Sequence, residues 1–227
     1  MDAFITFFKD HLPRLSQYYQ WPKRIPKPVA DAPWVFKTNG SDECIDMKHH
    51  LTELWKKGDE AEKKKLASWI VSGWGGVRAN SLETLAGYLT AINGGSYPTS
   101  LQGVASYSKI LSVVDCQQYS IYDARVAAAL NAVQLMYPGK LSHYYPYVPS
   151  RNGVIRQFMQ AYRKTELVDQ RGWQEVSWNG GYNAYCQLLI DLKTQFPGRE
   201  IYHFEMTLFS MAPELCRQTM KAERAKG

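Results

Sequence analysis

No stretch of this chain reaches the roughly 18 consecutive apolar residues that a membrane-spanning helix requires, which argues against an integral membrane protein. Close cysteine pairs are also missing. Cys44, Cys116, Cys186 and Cys216 are scattered, and no Cys-x-x-Cys occurs. That spacing speaks against a zinc knuckle or a redox pair and against an iron–sulfur cluster, which needs thiolates drawn close together. Buried free thiols are expected instead, as in a reducing cytoplasm. The apolar opening, Met1 to Tyr19, is interrupted by Lys9, Asp10, His11, Pro13 and Arg14. It lacks a basic first segment and a small-residue cleavage site, so it does not read as a signal peptide. The expectation is a cytoplasmic protein with neither cofactor nor metal.

Few alternating runs suit strands, and no internal repeat stands out, so an all-α fold of about ten helices in one domain spanning 1–227 is expected. Helices are expected at Ala3–Tyr19, Asp46–Lys57, Leu66–Val71, after the N-cap Ser81, at Ile121–Tyr137, Asn152–Leu167 and Tyr182–Phe196, and from Arg199 onward. Pro22, Pro26, Pro28 and Pro33 make 20–40 an extended strap. The charged run Lys56–Lys65 reads as a solvated junction, Pro98-Thr99-Ser100 as the start of a short helix, and Pro213 as a break in the last one.

What is plentiful is positive charge and aromatic surface. Lysine and arginine give a net charge of +6, and there are fifteen tyrosines and seven tryptophans. Basic and aromatic side chains together suit a polyanion with stacked bases, though aromatics are equally ordinary core material. His49, His50 and Glu53 have helical metal-ligand spacing but no evident third ligand, so a solvated face is the better reading.

One stretch carries specific chemistry. Leu101-Gln102-Gly103-Val104-Ala105-Ser106-Tyr107-Ser108-Lys109 has the outline of two helices joined by a glycine turn. Such a turn lets backbone N–H groups at a helix N-terminus approach a phosphate. Ser106 and Ser108 add hydroxyls, and Lys109 adds charge. Tyr119-Ser120-Ile121-Tyr122-Asp123-Ala124-Arg125-Val126 follows, with Asp123 at the start of a long helix. This pairing resembles the helix-hairpin-helix superfamily of DNA glycosylases, in particular the 8-oxoguanine-glycosylase-fold branch, over residues 101–131. Tyr202–Phe209 is similar to the closing helix of small bacterial relatives.

The resemblance implies an enzyme that flips a damaged or modified base out of double-stranded DNA and hydrolyses its glycosidic bond. Asp123 would be the catalytic anion, stabilising positive charge on the sugar in the transition state. Gly103, Ala105, Ser106, Tyr107, Ser108, Lys109, Arg125 and Arg78 would contact DNA, and Trp74 and Tyr122 would line the base pocket. The hairpin's second glycine is Ala105 here, and Lys109 falls one to three positions later than the lysine of bifunctional members. A monofunctional, monomeric enzyme is therefore expected, with Lys109 touching phosphate. Defence against phage with modified DNA is an attractive setting by analogy. A non-catalytic reader of modified bases and a helical interaction domain are the alternatives. The Asp123 carboxylate could equally serve only as an N-cap.

Overall fold

The computed structural model describes residues 1–22, 32–77 and 80–225; Arg78 and the middle of the 20–40 strap lie outside these residues. The described chain is all-α apart from one minimal parallel pairing, β1 (His143–Tyr144) with β2 (Gln174–Glu175). The helices are α1 (Asp2–His11), α2 (Leu15–Tyr18), α3 (Ser41–Lys57), α4 (Glu60–Ser68), α5 (Leu82–Asn93), α6 (Val104–Val114), α7 (Ala124–Met136), α8 (Gly153–Ala161), α9 (Gly181–Lys193) and α10 (Ile201–Arg224). A single-turn 3₁₀ segment (Leu12–Arg14) holds Pro13, and π-helical turns cover Trp69–Trp74 and Thr165–Gln170.

The centre of the fold is α7. Every residue from Val126 to Leu135 is buried, as expected of a helix apolar on all sides. Its alanines let α10 lie closely along it, and α1 and α8 cover further faces. Two of its amides hold the adjoining loop. Asn131 exchanges hydrogen bonds with the Tyr145 backbone (2.8 and 2.9 Å), and Gln134 does the same with His143 (2.8 and 2.7 Å). Buried polar groups in a helix of this kind must be paired, and here the pairing fixes the path of the chain. On the other side, α3 packs on α6, and α4 packs on α5 and on the Trp69–Trp74 turn. One core joins all of this, from Ala3 to Cys216.

Several expectations need correction. Helix α3 begins at Ser41, and its inward stripe is Cys44, Met47, Lys48, Leu51 and Trp55, with His50 and Leu54 exposed. The charged run after Lys57 is helical, because Asp59 and Glu62 form a full capping box. No helix forms at Pro98–Ser100, where the chain makes bends and turns up to Gly103. Pro13 ends α1 early, whereas Pro213 is carried inside an unbroken α10. The cost of proline is a missing N–H and a clash in the preceding turn, and packing of α10 on α7, α8 and α9 offsets it.

Candidate active site

Helix α7 opens on Asp123, whose Oδ1 accepts from Arg125 N (2.8 Å) and Val126 N (3.0 Å). Its backbone is extended, as an N-cap requires. Both cap bonds go to one oxygen, so the second is not spent on the cap. Asp123 borders a narrow cavity of about 60 Å³. Around it stand Tyr19 from the end of α2, Trp21, Trp74 and Gly75 from the π-helical turn, Lys109 from α6, and Glu205 and Phe209 from α10. Ligand pockets commonly start near 300 Å³, so this space is water-sized as it stands.

Lys109 is placed differently from the surface phosphate contact expected of it. Helix α6 starts at Val104, so Lys109 lies more than a turn inside and faces α7 and α10; the residue is 6% exposed. Its ammonium donates to the Ala105 carbonyl one turn back. Burial lowers its pKa, while Asp123 and Glu205 act in the opposite sense. The stem lies against Gly75, where a Cβ would collide with Lys109 Cδ and approach Cε to 2.7 Å and the Ile70 carbonyl to 2.8 Å. Only glycine leaves room for the lysine there.

Glu205, which sequence reasoning missed, is buried at 3% exposure and pairs through Oε2 with Lys48 Nζ at 3.0 Å. Lys48 itself is 1% exposed. Burial raises the Glu205 pKa, and the nearby lysine pulls it back down. Tyr19 is likewise raised by burial, and the Cys44 thiol beside it is pushed up to about 11. The signal for Glu205 was a lone carboxylate in the otherwise apolar Phe204-Glu205-Met206. Arg125 reaches back over the Phe209 ring at 4.5 Å, a cation–π contact at the edge of the cavity.

The other expected residues divide sharply. Trp74 lines the cavity, 5% exposed, with its indole nitrogen buried and unpartnered. Tyr122 does not. It is fully buried, and its hydroxyl donates to the Pro146 carbonyl at 2.7 Å. Tyr107 donates to the Ser100 carbonyl, Ser108 accepts from Tyr122 N (3.2 Å), and Ser106 accepts from Asn80 Nδ2 (2.6 Å). All three are turned inward because α6 is buried on every side from Ser106 to Val113. Gly103 has φ +70°, and the Tyr88 hydroxyl occupies the place a Cβ would take. Backbone geometry and packing both demand glycine there. Ala105 is half-buried on the first turn of α6. His49, His50 and Glu53 lie on the exposed face of α3.

The arrangement therefore combines an anchored carboxylate, a buried lysine and a second carboxylate with aromatic walls. Among the described helices, none is long and apolar enough to cross a membrane. Comparisons with protein-family models, with curated proteins and with solved structures find no match to this chain.

Proposed function

We propose that the chain is a helix-hairpin-helix DNA glycosylase that flips a damaged or modified base toward the Asp123 cavity and excises it. The observation that carries this reading is Asp123 itself: a carboxylate fixed by its own helix N-terminus, with one oxygen free of the cap, at the mouth of a space walled by aromatic rings. As the C1′–N bond to the base breaks, positive charge grows on the sugar. A carboxylate already in place stabilises that charge without reorganising. Water then bonds to C1′, giving up a proton, and the base departs protonated. Asp123 is the nearest general base for that water. In this reading the turn before Gly103 and the first turn of α6 would hold the DNA backbone.

A second reading of the same site is favoured by Lys109. Its burial in the cavity, with a lowered pKa, suits an amine nucleophile rather than a phosphate contact. Its nitrogen would bond to C1′ as the base leaves, and opening of the sugar ring at O4′ would give an iminium. Borohydride reduces that species to a stable protein–DNA adduct. The adduct should increase with pH and reach half its maximum below the ordinary lysine pKa, because burial favours the neutral amine.

The test is incubation with genomic and phage DNA bearing varied modified bases. Released base is read by mass spectrometry and abasic sites by a cleavage assay. Release that disappears in Asp123→Asn supports the glycosylase. Tight DNA binding with no release from any modified DNA makes the protein a reader of modified bases. Absence of salt-dependent DNA binding leaves only an interaction domain. A borohydride adduct lost in Lys109→Gln separates the lyase from the hydrolase.

A further inference from the structure

Most buried ring donors among the described residues are satisfied. The Tyr122, Tyr182 and Tyr185 hydroxyls each donate to a backbone carbonyl at 2.7 to 3.0 Å, and the half-buried Trp34 indole donates to Glu43 at 3.0 Å; His11 Nδ1 and Ser120 Oγ, away from the cavity lining, are buried without a partner. The Trp74 indole N–H is an exception: it is buried without a partner, on a side chain that helps line the cavity bordered by Asp123, Lys109 and Glu205. We propose that this N–H is the specificity-determining donor of the site, which binds a hydrogen-bond acceptor, ring nitrogen or carbonyl oxygen, on the edge of a flipped base. The inference rests on the glycosylase reading for its substrate class.

The local backbone supports it. Trp74 ends a π-helical turn in which Gly75 N bonds the Ile70 carbonyl at 2.9 Å and Val77 N bonds the Val71 carbonyl at 3.0 Å. Widened turns of this kind are uncommon and gather at functional sites. This one brings Trp74 and Lys109 to the same cavity, with Gly75 giving the lysine its place. The groups are chemically divided. Asp123 and Glu205 offer acceptors to the sugar and to base N–H groups, and the Lys109 ammonium is engaged by Ala105. Lys109 keeps further N–H donors beyond that one bond, but the Trp74 indole has a single N–H and no protein partner for it, and a buried donor in that condition calls for a partner from outside the protein. A site built to donate a hydrogen bond discriminates strongly against an analogue that cannot accept it.

The experiment measures binding separately from excision. Duplexes carry a 2′-fluoroarabino nucleotide, which resists glycosidic cleavage, with hypoxanthine, uracil, 8-oxoguanine or 5-hydroxymethylcytosine as base. The preferred duplex should bind Trp74→Phe about tenfold more weakly than wild type, the scale of one hydrogen bond. Unmodified duplex should bind both equally. Wild-type protein should lose the same factor when the base acceptor is removed by a deaza or deoxo analogue. That arm does not depend on the variant folding. Variant and analogue together should lose no more than either alone.

Equal binding of the preferred duplex by wild type and Trp74→Phe overturns the inference and leaves only water for the indole. If that occurs while base release still depends on Asp123, the glycosylase reading stands alone. If the tryptophan effect appears without any release, this inference stands and the protein is a reader. If no modified duplex is preferred, this inference falls, and if no modified DNA releases a base either, the glycosylase reading falls with it.

Discussion

The Asp123 cavity and the tyrosine cluster beside it are built from similar residues and use them in opposite ways. In the cluster, Tyr107, Tyr122, Tyr182 and Tyr185 stack edge to face at centroid distances of 5.1 and 5.2 Å for the closest pairs, and every hydroxyl is tied to a backbone carbonyl. A polar group treated this way rigidifies its surroundings and has nothing left to offer a ligand. In the cavity, Trp74 has an unused donor, Asp123 an oxygen outside its cap, and Lys109 an amine folded onto its own helix. Aromatic composition alone does not distinguish a core from a site. The accounting of hydrogen bonds does.

The largest stability effect is expected where the cavity is braced from behind. Lys48→Met leaves Glu205 buried without its partner, a change that typically costs about 3–5 kcal/mol. The sign of its pH dependence follows from the raised Glu205 pKa, which loss of Lys48 raises further. Unfolded chains then ionise this carboxyl before folded ones do. Urea unfolding should therefore show a larger deficit at pH 8 than at pH 5, shrinking as pH falls to the ordinary carboxylate value. A deficit independent of pH would mean that Glu205 pairs elsewhere. Asp123→Asn makes the reverse separation. Asparagine caps a helix as well as aspartate does, so melting should barely move, while base release should fall on the order of 10²- to 10³-fold.

Much of the fold, and the local geometry at Asp123, were legible in the sequence. Asp123 and Ser81 stand immediately before apolar helical runs, and both cap with the hydrogen bonds that this local pattern dictates. The alanine-rich run after Asp123 announced a buried helix. Long-range pairings were not legible. Lys48 and Glu205 are 157 positions apart, and each looks like an isolated charge until α3 and α10 are brought together. Lys109 could be counted along its own helix, but which way it faces depends on α7 and α10. The Asp59–Glu62 capping box, by contrast, was present in the charged run and passed over, because the run's polarity hid it. Tyr122 adjoins Asp123 in sequence, yet an extended backbone sends neighbouring side chains to opposite sides.

A test of intermediate size acts through space. Gly75→Ala places a methyl group against the Lys109 stem and the Ile70 carbonyl. Overpacking of this kind costs about 1–3 kcal/mol. The lysine is the softer neighbour, so it should be the group that moves. Borohydride trapping should fall more than stability does, and the pH at which trapping is half-maximal should rise as Lys109 regains solvent. If stability falls with no change in trapping, the Ile70 backbone has yielded instead and the lysine has kept its place.

The smallest effect sharpens the comparison most. Tyr122→Phe removes a hydroxyl from the satisfied cluster and leaves the Pro146 carbonyl short of a donor, at a cost of about 1 kcal/mol. The ring, its edge-to-face contact with Tyr185 and its burial are unchanged in size. Melting should drop by a few degrees, and both lesion binding and base release should match wild type once the protein is folded. Tyr185→Phe, which frees the Ile121 carbonyl, should behave in the same way. A tenfold loss of lesion binding in Tyr122→Phe at unchanged stability would place that phenol in the base pocket after all. The phenols of the cluster and the indole at the cavity would then no longer differ in what they offer a ligand, and the difference would vanish one residue from Asp123.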